Sequence, residues 1–204
     1  MPALLSDVDA MPGLSWGQPA GPGKCAIVNM RRKGICKRCY ALKGRYRFQN
    51  VKQAQAWRWE WWHNKPENEV IETLVSLIRF ESYFRLFDSG DFCHVPCAWR
   101  WVRICSRLPQ TRIWIPTRVW QLEAYHDPLR ALNLMPHVCV RLSNKNVDEA
   151  VPDEVKELLN IHTVGEVHSH ENFKCPKQIH GSCTKAGCVG CWDKSEEYIT
   201  YQEH

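Results

Sequence analysis

Between Tyr83 and Val167 the chain repeats one unit three times and begins a fourth: a short run rich in β-branched and aromatic residues, then a stretch with helical spacing. Tyr83 to Phe87 alternates and stops at Asp88-Ser89-Gly90-Asp91, which predicts a strand entering a tight turn. Pro96 suits the first turn of a helix running to about Leu108. Arg112 to Thr117 predicts the next strand and Val119 to Leu132 a helix. His137 to Leu142 then predicts a strand ending at Ser143-Asn144, Asp153 to Leu159 a short helix, and Thr163 to Val167 a last strand. Strands alternating with helices of this length predict parallel βαβ units. The fold class expected is α/β, a partial or small β/α barrel with a cysteine-rich C-terminal metal-binding segment.

Two helices precede the repeat. Val51, Ala54, Trp57 and Trp61 fall on one face of the first, over 51–62. Asn68 is a candidate cap for the second, in which Val70, Ile71, Leu74, Leu77 and Ile78 recur at helical spacing. Residues 1–23, rich in Pro and Gly, read as an N-terminal tail or extended entry segment. Residues 24–167 form the expected β/α core and 168–204 a cysteine-rich segment packed on it.

In such folds chemistry collects in the loops after the strands' carboxyl ends. There the sequence puts Asp88 to Asp91, Thr117-Arg118 and Arg141 to Asn144. Asp88 and Asp91 are candidate catalytic carboxylates, as general acid and base or as a Mg²⁺ site, and could equally cap the next helix. Arg118 and Arg141 could clamp a carboxylate or phosphate, with Ser143 beside them in the candidate cofactor-binding set.

Eleven cysteines are many, and the number is odd. The start lacks the basic and apolar regions of a signal peptide, and no run approaches the ~20 apolar residues that cross a bilayer. The expectation is a cytoplasmic protein without membrane partners, whose thiols stay reduced and serve metal or redox chemistry. Cys175-Pro176, Cys183, Cys188 and Cys191-Trp192 put four thiols within seventeen positions, separated by seven, four and two residues. That spacing suits a 4Fe–4S cluster, whose cube spreads its ligands further apart than one zinc ion does. His168, His170 and His180 keep a mixed Cys/His zinc site open.

A sparser set, Cys25, Cys36 and Cys39, has gaps of ten and two residues. A cubane held by three thiolates leaves one iron open to a ligand. Lys37 and Arg38, with Arg31, Arg32 and Lys33, would offset thiolate charge. The rival reading pairs Cys36-x-x-Cys39 with Cys188-x-x-Cys191 as two knuckles of one zinc site, and in a third reading Cys25 is a core thiol.

Cys93-His94-x-x-Cys97 could add ligands, but Cys97, Trp101 and Cys105 share the face of the helix that Pro96 starts, so core packing is the preferred reading. Cys105 and Cys139, inside predicted elements, read as structural. Ten Trp is unusual, and Trp59 and Trp62 beside Arg58 suggest stacking on single-stranded nucleic acid, a partner that the net charge of +5 leaves open.

Pro19-Ala20 before Cys25, Cys36-x-x-Cys39-Tyr40-Ala41 with Gly44-Arg45-Tyr46, Asp88-Ser89-Gly90-Asp91-Phe92 and the cysteine ending resemble the bacteriophage gene product 88 family. That resemblance implies a cysteine-rich phage protein working in the host cytoplasm, with no particular activity. More distantly, three cysteines ahead of a β/α series resemble radical S-adenosylmethionine (SAM) enzymes. This implies a 4Fe–4S cluster on Cys25, Cys36 and Cys39 whose open iron binds the methionine part of SAM. It also implies that Ser89-Gly90-Asp91 stands where a Gly-Gly-Glu-like turn holds the SAM amino group, and that a second cluster occupies the C-terminal segment. The first gap here is ten residues rather than three, and Arg38 stands where an aromatic usually precedes the third cysteine. The function expected is a phage-encoded, radical-SAM-like iron–sulfur enzyme served by an electron donor and acting on a small-molecule or host substrate. The alternatives are a non-enzymatic module stapled by zinc or iron–sulfur that binds host protein or nucleic acid, and an iron–sulfur hydrolase or lyase using the open iron as Lewis acid.

Overall fold

Seven strands form a single sheet in the order of the sequence, in a computed structural model that describes residues 3–8, 10–30, 34–169 and 175–202. β1 (Ser6–Asp7) runs antiparallel to β2 (Leu14–Trp16). β2, β3 (Tyr83–Leu86), β4 (Arg112–Thr117), β5 (Val138–Ser143), β6 (Val164–His168) and β7 (Tyr198–Gln202) are all parallel. The sheet is thus mixed α/β, mostly parallel and open, with β1 and β7 at its edges.

Helices fill the crossovers. α1 (Ala26–Met30), α2 (Gln49–Asn64) and α3 (Glu67–Ile78) precede β3. α4 (Val95–Cys105), α5 (His126–Asn133) and α6 (Asp153–Leu159) separate the strands from β3 to β6, and α7 (Pro176–His180) precedes β7. From β2 to β6 each crossover adds its strand beside the last, so right-handed connections place α1 to α6 on one face, whereas the connection from β6 to β7 carries the cysteine ending across the other. The packing agrees: Phe84, Leu86, Ile113, Ile115, Val138, Val140, Leu142 and Val164 meet the helices in one large core. Trp16, Trp62 and Trp101 anchor it, with ring centroids 5.3–5.8 Å apart.

The opposite face carries Trp114 and Ile199, and the cysteine ending covers it with Cys183, Cys191 and Trp192. Trp192 Nε1 donates to the Phe84 carbonyl at 2.8 Å. The strand alternation of β5 explains both layers: Val140 and Leu142 face the helices, and Arg141 faces the cysteine segment.

Several expectations are corrected. The stretch over 1–23 is no tail: β2 is a parallel strand of the sheet and Trp16 is fully buried. Its three residues stand between Gly13 and Gly17, so turn residues masked the strand. The helix expected over Val119 to Leu132 begins only at His126, after two 3₁₀ turns. Pro128 explains this, because it lacks an N–H and its ring clashes with the carbonyl four residues back, which admits it only in a first turn. Asn68 lies inside α3, whose N-cap is Pro66, and Leu77 is exposed. The buried residues of α2 are Gln55, Arg58 and Trp62, so its inward face is one position off the expected one and carries two polar residues.

Candidate functional site

The carboxyl ends of β2 and β3 are locked together by backbone hydrogen bonds from Asp88 N to Trp16 O and from Gln18 N to Ser89 O, both 3.1 Å. The chain turns there through Phe87 and Gly90, both at positive φ. A Cβ on Gly17 would sit 1.8 Å from Asp88 Oδ1, so only glycine lets β2 pass this close. Asp88 is buried and accepts from Ser15 Oγ at 3.1 Å. Ser89 is wholly buried, donating to Gln18 O and accepting from Gln55 Nε2 of α2 at 2.7 Å. Asp88 and Ser89 are therefore spent on joining β2, β3 and α2.

Asp91 reaches across to β4. Its carboxylate accepts from Phe92 N (2.8 Å), Thr117 Oγ1 (2.7 Å) and Arg118 N (2.9 Å). Burial pushes its pKa up to about 6, against the pull of those three donors. Arg118 Nε donates to Asn144 O at the end of β5, so one chain of contacts ties the β3, β4 and β5 ends.

The first cysteine loop lies over these ends. Ala26 N donates to Phe92 O and Ile35 N to Lys145 O. Tyr40 and Tyr46 each donate a phenolic hydrogen bond of 2.8 Å to the Asp88 carbonyl. Cys25 is buried, while Cys36 and Cys39 are half-buried. Burial pushes the Cys25 thiol up to about 12, with Asp91 adding to it and Cys39 and Cys36 contributing further. Burial also raises Cys36, with Arg118 pulling it down and Asp91 and Cys39 pushing it up. The three thiols, Asp91 and Arg118 thus share one electrostatic neighbourhood. Arg31, Arg32 and Lys33 lie outside the described residues. A cleft of about 450 Å³ opens beside the loop, lined by Lys24, Leu42, Tyr46, Arg47, Lys52 and Trp59 among others.

Other expected residues stand elsewhere. Arg141 is wholly buried, and all five of its N–H groups go to main-chain carbonyls: Cys191, Val164, Glu196, Gly190 and Asp193. It clamps the cysteine ending to the sheet and has no donor left for a ligand. Ser143 is buried, and its carbonyl accepts from Trp120 Nε1. Trp62 is a core residue stacked on Trp101, not a surface platform, because α2 turns it inward. Trp59 remains half-buried under Lys24, whose Nζ lies 3.9 Å from the ring centroid.

At the C-terminal set, Cys175, Cys183 and Cys191 are buried and Cys188 half-buried. Burial pushes Cys191 up to about 12, although Tyr201, in contact at 3.3 Å, opposes it. Cys175 and Cys188 both act on Cys183, so these four thiols also share a neighbourhood. His168 faces Glu166 and Asp148, His180 is exposed, and His170 lies outside the described residues. Cys105 and Cys139 are buried, as expected of structural thiols. Thr117 stands at the strand end where chemistry is expected, whereas Tyr40, Tyr46 and Gln55, which position the loop and the turn, escape residue-by-residue reading. For the two tyrosines the signal was their place beside the Cys36-x-x-Cys39 landmark.

The family model described as Gene product 88 matches residues 8–194. This chain belongs to the gene product 88 family. The match spans every landmark that carried the resemblance, from the Pro19-Ala20 entry to the cysteine ending, and makes the chain a phage-type protein. No curated protein and no solved structure matches it. Among the described residues, no helix is long and apolar enough to cross a membrane.

Proposed function

We propose that this gene product 88 protein is an iron–sulfur enzyme. In this reading Cys25, Cys36 and Cys39 hold a four-iron cluster with one iron open to a ligand, and Cys175, Cys183, Cys188 and Cys191 hold a second. The observation that carries it is the gathering of the first three thiols over the carboxyl ends of β3, β4 and β5, beside Asp91 and Arg118. Parallel sheets keep their chemistry at such ends. The sequential strand order and one-sided helices support reading the sheet as a partial β/α barrel.

The donor sets suit the group in kind: thiolates are its usual ligands, and within each set the thiols act on one another electrostatically. When bound, such a cluster supplies an open iron and one-electron reduction, and SAM is the ligand that the radical-SAM resemblance suggests.

The chain's own residues prepare the place. Tyr40 and Tyr46 hold the loop to the β3 turn. Asp91 is a positioning residue, with three of its roughly four acceptor sites already used. Lys24, Arg47 and Lys52 outnumber Glu60 in the lining of the neighbouring cleft and give it the charge for a small anionic ligand.

The test is iron and acid-labile sulfide analysis with an absorption spectrum, on protein purified without oxygen. About eight of each per chain is expected for two cubanes, falling by about half in Cys39→Ala and in Cys191→Ala. SAM cleavage under dithionite then tests the radical step. A colourless protein holding one zinc would end the proposal and favour a metal-stapled binding module.

A further inference from the structure

The two ends of α2 and α4 that meet at the surface carry a second set of metal-type ligands. His63 stands in the last turn of α2, while Cys93 and His94 immediately precede α4. One ligand atom from each of the three lies within 4.8 Å of the other two. Among the described residues this is the one trio of His, Cys, Asp or Glu that meets that distance. Cys93 Sγ is 3.8 Å from His63 Nε2.

The orientation of the rings is built in. His63 Nδ1 donates to the Trp59 carbonyl at 2.7 Å, which leaves the Nε2 lone pair facing Cys93. The Trp59 ring packs on the imidazole at 4.1 Å between centroids and holds it there. His94 approaches from the other side, its ring centroid 5.6 Å from that of His63. Its Nδ1 accepts from Cys97 N at 3.1 Å as the cap of α4. Cys97, in the first turn of α4, is buried. Cys97 packs in the core as expected, and Cys93, half-buried, packs against the edge of that core.

We propose that His63, Cys93 and His94 bind one divalent cation of the zinc class, stapling the end of α2 to the start of α4. One thiolate and two imidazoles form a borderline-soft set that suits zinc and not magnesium or calcium. His63 and His94 are exposed, so the fourth coordination position opens to solvent. The site uses none of the seven cysteines assigned to clusters and does not depend on that assignment.

Co²⁺ titration of the full chain, purified without oxygen, tests it through visible absorption. Wild type is expected to take up one equivalent more than the His63→Ala/His94→Ala variant. Cys93→Ser should lose the thiolate-to-cobalt charge-transfer band of that equivalent. Zinc should raise the melting temperature of wild type and not of the double variant. Both histidines are on the surface, so their replacement leaves the core intact, and iron and sulfide contents should not change. Equal cobalt uptake by wild type and the double variant would overturn the proposal.

Discussion

Asp91 does two jobs with one carboxylate: it satisfies three donors at the β3 and β4 ends and places a negative charge beside Cys25 and Cys36. Asp91→Ala leaves Phe92 N, Arg118 N and the Thr117 hydroxyl without that acceptor, and should cost on the order of 3 kcal/mol in urea unfolding. Asp91→Asn keeps one carbonyl oxygen and should cost about half as much. Equal, near-zero losses would show that water satisfies these donors. Trp62, packed between Trp16 and Trp101 with the Arg100 guanidinium over its ring, is a core residue, and Trp62→Ala should destabilise by about 3–5 kcal/mol. Trp59→Ala, at a half-buried position, should cost far less.

At the scale of elements, Cys25 to Val28 root the first cysteine loop in the main core, whereas its 3₁₀ part over 34–47 is held by a few hydrogen bonds rather than by a deep apolar face. Leu42 and Phe48 are exposed, and Ala41 is the buried apolar residue of its 3₁₀ turns. Tyr40→Phe and Tyr46→Phe each remove one bond to the Asp88 carbonyl, worth about 1 kcal/mol. The double variant should leave the melting transition of the sheet nearly unchanged while speeding hydrogen exchange and loss of iron at the loop. The cysteine ending depends instead on Arg141, whose guanidinium holds five carbonyls. Arg141→Met should cost at least about 3 kcal/mol and expose 175–193 to limited proteolysis before the rest of the chain. Resistance of that segment in the variant would mean that Trp192 and the strand pairing of β7 suffice to hold it.

For the molecule as a whole, the sheet separates two layers with different sources of stability. The helical layer is a large apolar core. The opposite layer is a small cluster around Trp114, Trp192 and Ile199 bordered by thiols. Because that cluster is small, a cation holding its thiols should supply a large share of this layer's stability. Anaerobic reconstitution with iron and sulfide is expected to raise the melting temperature, and Cys191→Ser to remove most of that rise. An unchanged melting temperature on loading would place the metal away from this layer.

The repeat of strand and helix from residue 83 to 167 was written in local periodicity, and periodicity recovered β3 to β6, α3, α4 and α6 within a residue or two of most ends. The family landmarks were equally local, which is why the cysteine loop and the strand-end turn could be named in advance. β2 and β7 were not legible, because a three-residue strand between glycines and a strand after a cysteine tract carry little signal until parallel neighbours supply the hydrogen bonds. The fates of Arg141, Trp62 and Cys93 were decided only by the tertiary structure. Which face of a strand or helix meets a partner depends on segments distant in sequence. Arg141 turned toward the cysteine ending, Trp62 toward Trp16, and Cys93 toward a histidine thirty residues away.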